Sequence, residues 1–226
     1  MHIVNIINRH LEHQVVRGRC MKEGFEALGH KVTDTANRQA HGDITVVHYD
    51  NYAKDLAKGR VLWLDRNWYG LESEWVSLGW KVDNNTRRYA TGGAERFASH
   101  VEQGYVTLEP MKEGRKAIVL DDYKRSLSNR NASGYRYHPS VQQSPHTLAQ
   151  AMEPYSHAIC GSGTCAAQAW LAGLEVECTD KHNIVHTTKR RDEWANDLAW
   201  TQFTNDELSN GYALEQLLSV ELNANI

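Results

Sequence analysis

Residues 158–178 read Ala158-Ile-Cys-Gly-Ser-Gly-Thr-Cys-Ala-Ala-Gln-Ala-Trp-Leu-Ala-Gly-Leu-Glu-Val-Glu-Cys178. A short apolar strand, Ala158 to Cys160, runs through a turn of small residues (Gly161, Ser162, Gly163, Thr164) into an alanine-rich helix. Gly173 ends the helix before a further strand, Leu174 to Cys178. Gly161 and Gly163 let the backbone approach a ligand, and Ser162 or Thr164 can cap the helix. The first-turn N–H groups and the positive end of the helix dipole favour an anion, so the turn is a candidate phosphate site.

Working outward, the same alternation of strand and helix fills the chain. Lys116 to Leu120 and Gly134 to Tyr137 precede a helix opened by Ser144-Pro145, and the Ala158 strand follows. Towards the amino end, Ile3 to Ile7 leads through a polar turn, Asn8 to His13, into an amphipathic helix. There Val15, Val16, Cys20, Phe25 and Leu28 recur at helical spacing up to Gly29. Lys31 to Thr35, Asp43 to His48 and Val61 to Leu64 read as strands, with a short helix over Tyr52 to Lys58. Glu72 to Leu78 and Glu95 to Gln103 read as helices, Gly104 to Gly114 as irregular, and the end of the chain as all helix, with Thr204 and Glu207 forming a capping box. This rhythm predicts an α/β protein of two small Rossmann-like parallel-sheet lobes facing across a cleft. An N-terminal lobe covers 1–110 and a C-terminal lobe covers 111–226, with the C-terminal helices packing back.

Composition removes several classes. The chain has 226 residues, 41% hydrophobic and 23% charged, with a net charge of -3, which argues against a general polyanion-coating protein. Lys112, Arg115, Lys116, Lys124, Arg125, Arg130 and Arg136 nevertheless fall in one stretch, readable as a solvated face or as a nucleic-acid contact over 112–136. No apolar run reaches membrane-spanning length and no leader is visible, so the expectation is a cytoplasmic protein without a membrane partner. The four cysteines, Cys20, Cys160, Cys165 and Cys178, read as reduced core thiols rather than a disulfide framework. His10 with His13, and His182 with His186, have ligand-pair spacing but lack the intervening Glu of a zinc-peptidase helix, so no metal site is expected.

Open α/β sheets bind ligands at the carboxyl ends of their strands. Four loops therefore matter: Asn8 to His13, Asp65 to Gly70, Tyr137 to Ser140, and Gly161 to Thr164. In Leu64-Asp-Arg-Asn-Trp-Tyr-Gly70 an acid, a base and two aromatics follow an apolar strand. One reading is a turn with a local ion pair. The other is a pocket in which Asp65 acts as a base, Arg66 holds an acidic group, and Trp68 and Tyr69 stack on a sugar or nucleobase.

Tyr137-His138-Pro139 at a strand end, followed by the Ser/Thr-bearing glycine turn and an Ala-rich helix ending in Ala172-Gly173, resembles the donor lobe of two-lobed glycosyltransferases of the GT-B fold. His-Pro with a downstream Ser/Thr turn is similar to capsule-type and sialic-acid-type transferases, and the turn and helix also resemble those of sugar-nucleotide epimerases. The whole order, down to the Asp192–Gly211 segment, is similar to small glycosyltransferase-like proteins encoded by tailed bacteriophages. The resemblance implies that Arg136, His138, Ser162, Gly163 and Thr164 contact the donor phosphates. It implies that Gln168 stands where family members read the ribose with carboxylates, and that the first lobe holds the acceptor. The base is then Asp65, with His13 and Glu12 as second and third candidates. A metal-independent transfer from a nucleotide-sugar co-substrate, with no bound cofactor, follows, and a hydroxymethylated pyrimidine in phage DNA is one acceptor it implies. The alternatives are a protein of the same fold that binds or sequesters a nucleotide or signalling molecule and catalyses nothing, and a structural or host-interacting protein that keeps the fold only.

Overall fold

The computed structural model describes residues 2–7, 11–35, 41–48, 58–71, 74–82, 87–120, 132–139, 141–161 and 163–223. The chain is α/β and divides into two compact units. The first comprises Met1–Asn67, Leu71–Gly93 and Ala199–Ile226, and the second Trp68–Gly70 with Ala94–Leu198. The boundary read from the sequence, 110/111, falls inside the second unit, and the last helices belong to the first.

In the first unit, β1 (Ile3–Ile7) lies between β2 (Lys31–Thr35) and β3 (His41–His48), and β4 (Lys58–Arg66) extends the sheet beyond β3, all four parallel. β5 (Trp75–Lys81) then pairs antiparallel with β4, and β6 (Arg87–Arg88) and β11 (Gln202–Thr204) both pair antiparallel with β5. Central strands of such a sheet are covered on both faces, which is why Ile44 to Val47 and Trp75 to Trp80 are buried without alternation. The helix α1 (Glu12–Ala27) closes one face with Met21 and Phe25, both fully buried, each contributing about 1.5–3 kcal/mol of apolar burial. Gly24 lets it approach the later helix α6 (Asn205–Ser209): a Cβ there would sit 2.0 Å from the Leu208 carbonyl oxygen. The last helix, α7 (Tyr212–Asn223), is tied down by the Trp80 indole N–H, which donates to Leu217 O at 2.9 Å.

Two sequence expectations fail in this unit. Glu72 to Leu78, read as a helix, contains the start of β5, because an apolar run buried on both faces carries no period to tell strand from helix. The end of the chain is not all helix either: Gln202–Thr204 is a strand, stabilised by pairing with residues 75–77. The expected helix over Tyr52 to Lys58 falls almost wholly outside the described residues.

The second unit holds a wholly parallel sheet in the order β10 (Glu175–Cys178), β9 (His157–Cys160), β7 (Ala117–Leu120), β8 (Gly134–Arg136). The chain steps outward from β7 to β8, returns to β9 beside β7, and steps outward the other way to β10. The path therefore reverses between β7 and β9. Helix α2 (Glu95–Glu102) precedes the sheet, and α3 (Leu148–Met152) leads into β9. Ser144-Pro145 does not open α3: Thr147 does, in a capping box with Gln150, while Ser144 Oγ accepts the His146 N–H in the preceding turn. Helix α4 (Cys165–Leu171) joins β9 to β10 and buries Ala166, Ala167, Ala169 and Leu171. Its end is a Schellman motif, with Leu174 N–H on Ala169 O and Gly173 N–H on Trp170 O, and Gly173 takes φ +80°. Arg191, first residue of α5 (Arg191–Ala199), donates to the Trp170, Leu171 and Glu109 carbonyls and so fastens the 104–112 segment across that helix end. Among the described residues no helix is long and apolar enough to cross a membrane.

Candidate functional site

The Gly161–Thr164 turn follows β9 at the carboxyl edge of the second unit's sheet, beside the point where the chain path reverses. Adjacent connections leave such a point in opposite directions, which opens a crevice at the strand ends. Ser162 itself lies outside the described residues, as do 121–131 after β7.

Both flanking carbonyls of the turn are held from one side. Cys178, at the end of β10, directs its thiol to Gly161 O at 3.0 Å, and the buried Asn183 amide donates to Gly163 O at 3.0 Å. Asn183 is fixed in turn by its own N–H on Asp180 O and by Val185 N–H on its Oδ1. Gly163 adopts φ +129°, which glycine alone tolerates easily, and a Cβ there would meet nothing within 4 Å. The sequence does not single out Asn183, and it marks Cys178 only as a core thiol near the turn. The signal available was only that both end or follow the strand next to β9.

Thr164 does not cap the helix with its side chain. It is already helical (φ -75°, ψ -19°), and a capping hydroxyl needs an extended backbone to reach the N–H groups ahead of it. Its Oγ1 instead accepts from Gln168 Nε2 at 3.3 Å. The first-turn amides of α4 thus receive no cap from this side chain.

The remaining donor-side candidates sit at the end of β8. β7 separates β8 from β9, so these strand ends are about 10 Å apart, two strand spacings. His138 is half-buried, and its carbonyl accepts from Val141 and Gln142 N–H. The Arg136 guanidinium is committed to the backbone before α3, donating to His146 O at 2.6 Å and Thr147 O at 3.4 Å. Gly163, Thr164 and Gln168 are brought together, whereas Arg136 is drawn off to that loop.

A groove of about 840 Å³ runs beside α4 in the same unit, walled by Tyr69, Tyr105, Met111, Met152, Leu171 and Gln168 among others. The Tyr69 hydroxyl pairs with His100 Nδ1 at 3.0 Å, and Lys112 Nζ is held by the Met152 and Glu153 carbonyls. Trp68 is in the core of this unit, packed with Ile118, Ala158 and Ala166.

Of the acceptor-side candidates, Trp68 and Tyr69, expected in the first lobe, belong to the second unit, whereas Asp65, Arg66, Glu12 and His13 belong to the first. Asp65, at the end of β4, accepts the Arg66 N–H at 2.9 Å and forms an ion pair with Arg87, whose guanidinium also lies 3.9 Å from the Trp63 ring centroid. Glu12 and His13 are in the first turn of α1, not in a loop. His13 is held below its ordinary value of 6.5 by partial burial, then by Arg17 and Arg66, so it is neutral at pH 7. Arg66 is exposed, and Arg17, buried on α1, donates to Trp75 O at 3.0 Å.

Three of the four cysteines surround the turn. Cys160 and Cys178 are register partners at the ends of β9 and β10, and Cys165 opens α4. All are free thiols. Burial pushes Cys178 up to about 11, and a hydrogen bond with Cys165 together with burial drives Cys160 far up. Among the described residues no three His, Cys, Asp or Glu side chains form a cluster able to hold a metal. His186 Nε2 is engaged with the Cys178 carbonyl at 3.1 Å.

Comparison of the chain with known protein families, with curated proteins and with solved structures yields no match.

Proposed function

We propose that the protein binds a nucleotide, or another small molecule carrying a phosphate, at the carboxyl ends of the second unit's parallel sheet. The observation that carries this is the Gly161–Thr164 turn at the reversal point between β7 and β9, with both its flanking carbonyls tied back by Cys178 and Asn183. With those carbonyls occupied and Thr164 not capping, N–H groups are what the turn offers to a ligand, and these favour an anion. A groove of about 840 Å³ lies along the same helix, against Gln168, Leu171 and Ala172, and the turn residues are not part of its lining.

Sugar transfer from a nucleotide-sugar donor is the second reading: charge developing on the leaving phosphate would be stabilised at the turn. A hydroxymethylated base in DNA is an acceptor consistent with the exposed Arg115 and Lys116, although Lys112 and Arg136 of that stretch are already engaged with backbone carbonyls.

A thermal-shift series against nucleoside mono- and diphosphates, their sugar conjugates, inorganic phosphate and short DNA duplexes tests both readings. A ligand at about a hundred times its Kd stabilises by about 2.7 kcal/mol. The binding reading expects that scale of shift with nucleotides, lost in Gly163→Val. Sugar release from a conjugate, lost together with the nucleotide shift in Gly163→Val, would support transfer. No shift with any nucleotide would end both.

A further inference from the structure

Gln14 and Arg17 stand one turn apart on the inner face of α1 and are 2% and 3% exposed. Arg17 Nη2 donates to Trp75 O at 3.0 Å, and the same carbonyl accepts from Nδ2 of Asn67, the residue that follows β4, at 3.4 Å. The start of α1 therefore lies over the carboxyl edge of the first unit's parallel strands. That edge has its own reversal of the chain path. β1 is followed by β2 on one side and then by β3 on the other, so the crevice of such a sheet falls at the ends of β1 and β3, on the edge where α1 begins.

The helix start has no side-chain cap. Leu11 is the N-cap residue, and the first bonds of the helix run from Gln14 and Val15 N–H to its carbonyl. The N–H groups of Glu12 and His13 come before these, at the positive end of a 16-residue helix, and the Glu12 side chain is exposed. Gln14 is an independent pointer to a ligand. Its Oε1 is buried and accepts no hydrogen bond from the described residues, and helical side chains lean towards the N-terminus, here the crevice. A buried acceptor left unmet is costly, and a ligand that brings a hydroxyl or amino hydrogen to it removes that cost.

We propose that the start of α1 binds a small organic anion carrying a hydroxyl or amino group beside its carboxylate or phosphate. The anionic group takes the Glu12 and His13 N–H groups at the helix end, with the Arg17 charge one turn below. The neighbouring hydroxyl or amino group donates to Gln14 Oε1. A bare anion fills the helix end but leaves Gln14 unmet, so Gln14 is the specificity-determining residue. The site lies within the first unit and does not rest on the nucleotide reading of the Gly161–Thr164 turn.

Isothermal titration calorimetry of the full chain with glycolate, L-serine and glycerol 3-phosphate tests this, with acetate and methyl phosphate as the matching anions that lack the donor. The expected result is saturable one-to-one binding of at least one of the first three, about tenfold tighter than its bare counterpart. Which of them binds tells carboxylate from phosphate. Gln14→Met replaces the carboxamide by an apolar chain of similar length. It should melt at or above the parent temperature, because the unmet acceptor is gone, and should lose the preference for the anion bearing the donor. Gly163→Val, in the second unit, should bind the anions as the parent does. Four results would overturn the proposal: no binding of the three, equal binding of the bare anions, a marked fall in the melting temperature of Gln14→Met, or binding of glycerol 3-phosphate that survives Gln14→Met and is lost in Gly163→Val. The last of these leaves the nucleotide reading standing.

Discussion

Replacing Asn183 by alanine tests whether the turn is held from the β10 side. The Asn183 side chain donates to Gly163 O at 3.0 Å and accepts the Val185 N–H at 3.2 Å, and it is 5% exposed. Alanine removes two hydrogen bonds worth about 1 kcal/mol each. Gly163 is exposed, so water can replace the lost donor there, but Val185 is buried and its N–H loses its acceptor. The expected cost is about 2–3 kcal/mol, near the upper part of the range for a single polar truncation. For a chain of this length that is a fall of roughly 5–10 °C in melting temperature. Asn183→Asp is the informative partner. It keeps the acceptor for Val185 but sets a carboxylate oxygen against the Gly163 carbonyl, so it should destabilise at least as much and should weaken nucleotide binding further. Thermal and urea melts of the three proteins, with and without nucleotide, provide the comparison. Asn183→Ala melting with the parent protein and binding nucleotide equally well would refute the reasoning.

Other perturbations separate the structural features one at a time. Gly173→Ala meets both a φ of +80° and a Cβ position 2.1 Å from Pro110 O, so urea denaturation should show a loss of about 3 kcal/mol or more. His30 Nδ1 accepts the His2 N–H at 3.0 Å, and burial, with His2, the amino terminus and Arg60, holds it below 6.5. The unfolded chain therefore takes up the proton first, and stability contributed by neutral His30 is lost as pH falls from 6.5 towards the folded value. Urea midpoints across that window should flatten in His30→Gln. Iodoacetamide labelling at pH 8, followed by mass spectrometry, should reach half-buried Cys165 well before Cys178, whose thiol is pushed up to about 11 by burial; equal rates would contradict the packing described.

The elements legible in the sequence are those whose cause is local. Gly29 and Gly173 mark helix ends, and the small residues after Cys160 announce a turn into a helix; the helix from Glu12 is where the sequence puts it, but it buries Gln14, Arg17 and Gly18 with Met21 and Phe25 and leaves Val15 exposed. What was not legible depends on distant partners. β11 has three residues and exists through β5, more than a hundred positions earlier in the chain. β5 was mistaken for a helix because Trp75 to Trp80 is buried on both sides and shows no alternation.

The candidate site divides along the same line. The glycine turn could be read directly, whereas the fate of each charged side chain could not. Arg136 after a strand looks like a ligand contact until His146 and Thr147 are seen to use its guanidinium. Asp65 looks like a base until Arg87, 22 positions on, is found paired with it. Thr164 looks like a cap until its backbone proves already helical.

A titration of the isotopically labelled chain with ADP, GDP, CDP and UDP, followed by the backbone amide resonances, bears most directly on the central claim. Saturable shifts are expected from at least one nucleotide, largest for Gly161, Gly163, Thr164 and Cys165 and absent in Gly163→Val. Shifts confined to other parts of the chain, or no response at the turn to any of the four, would contradict it.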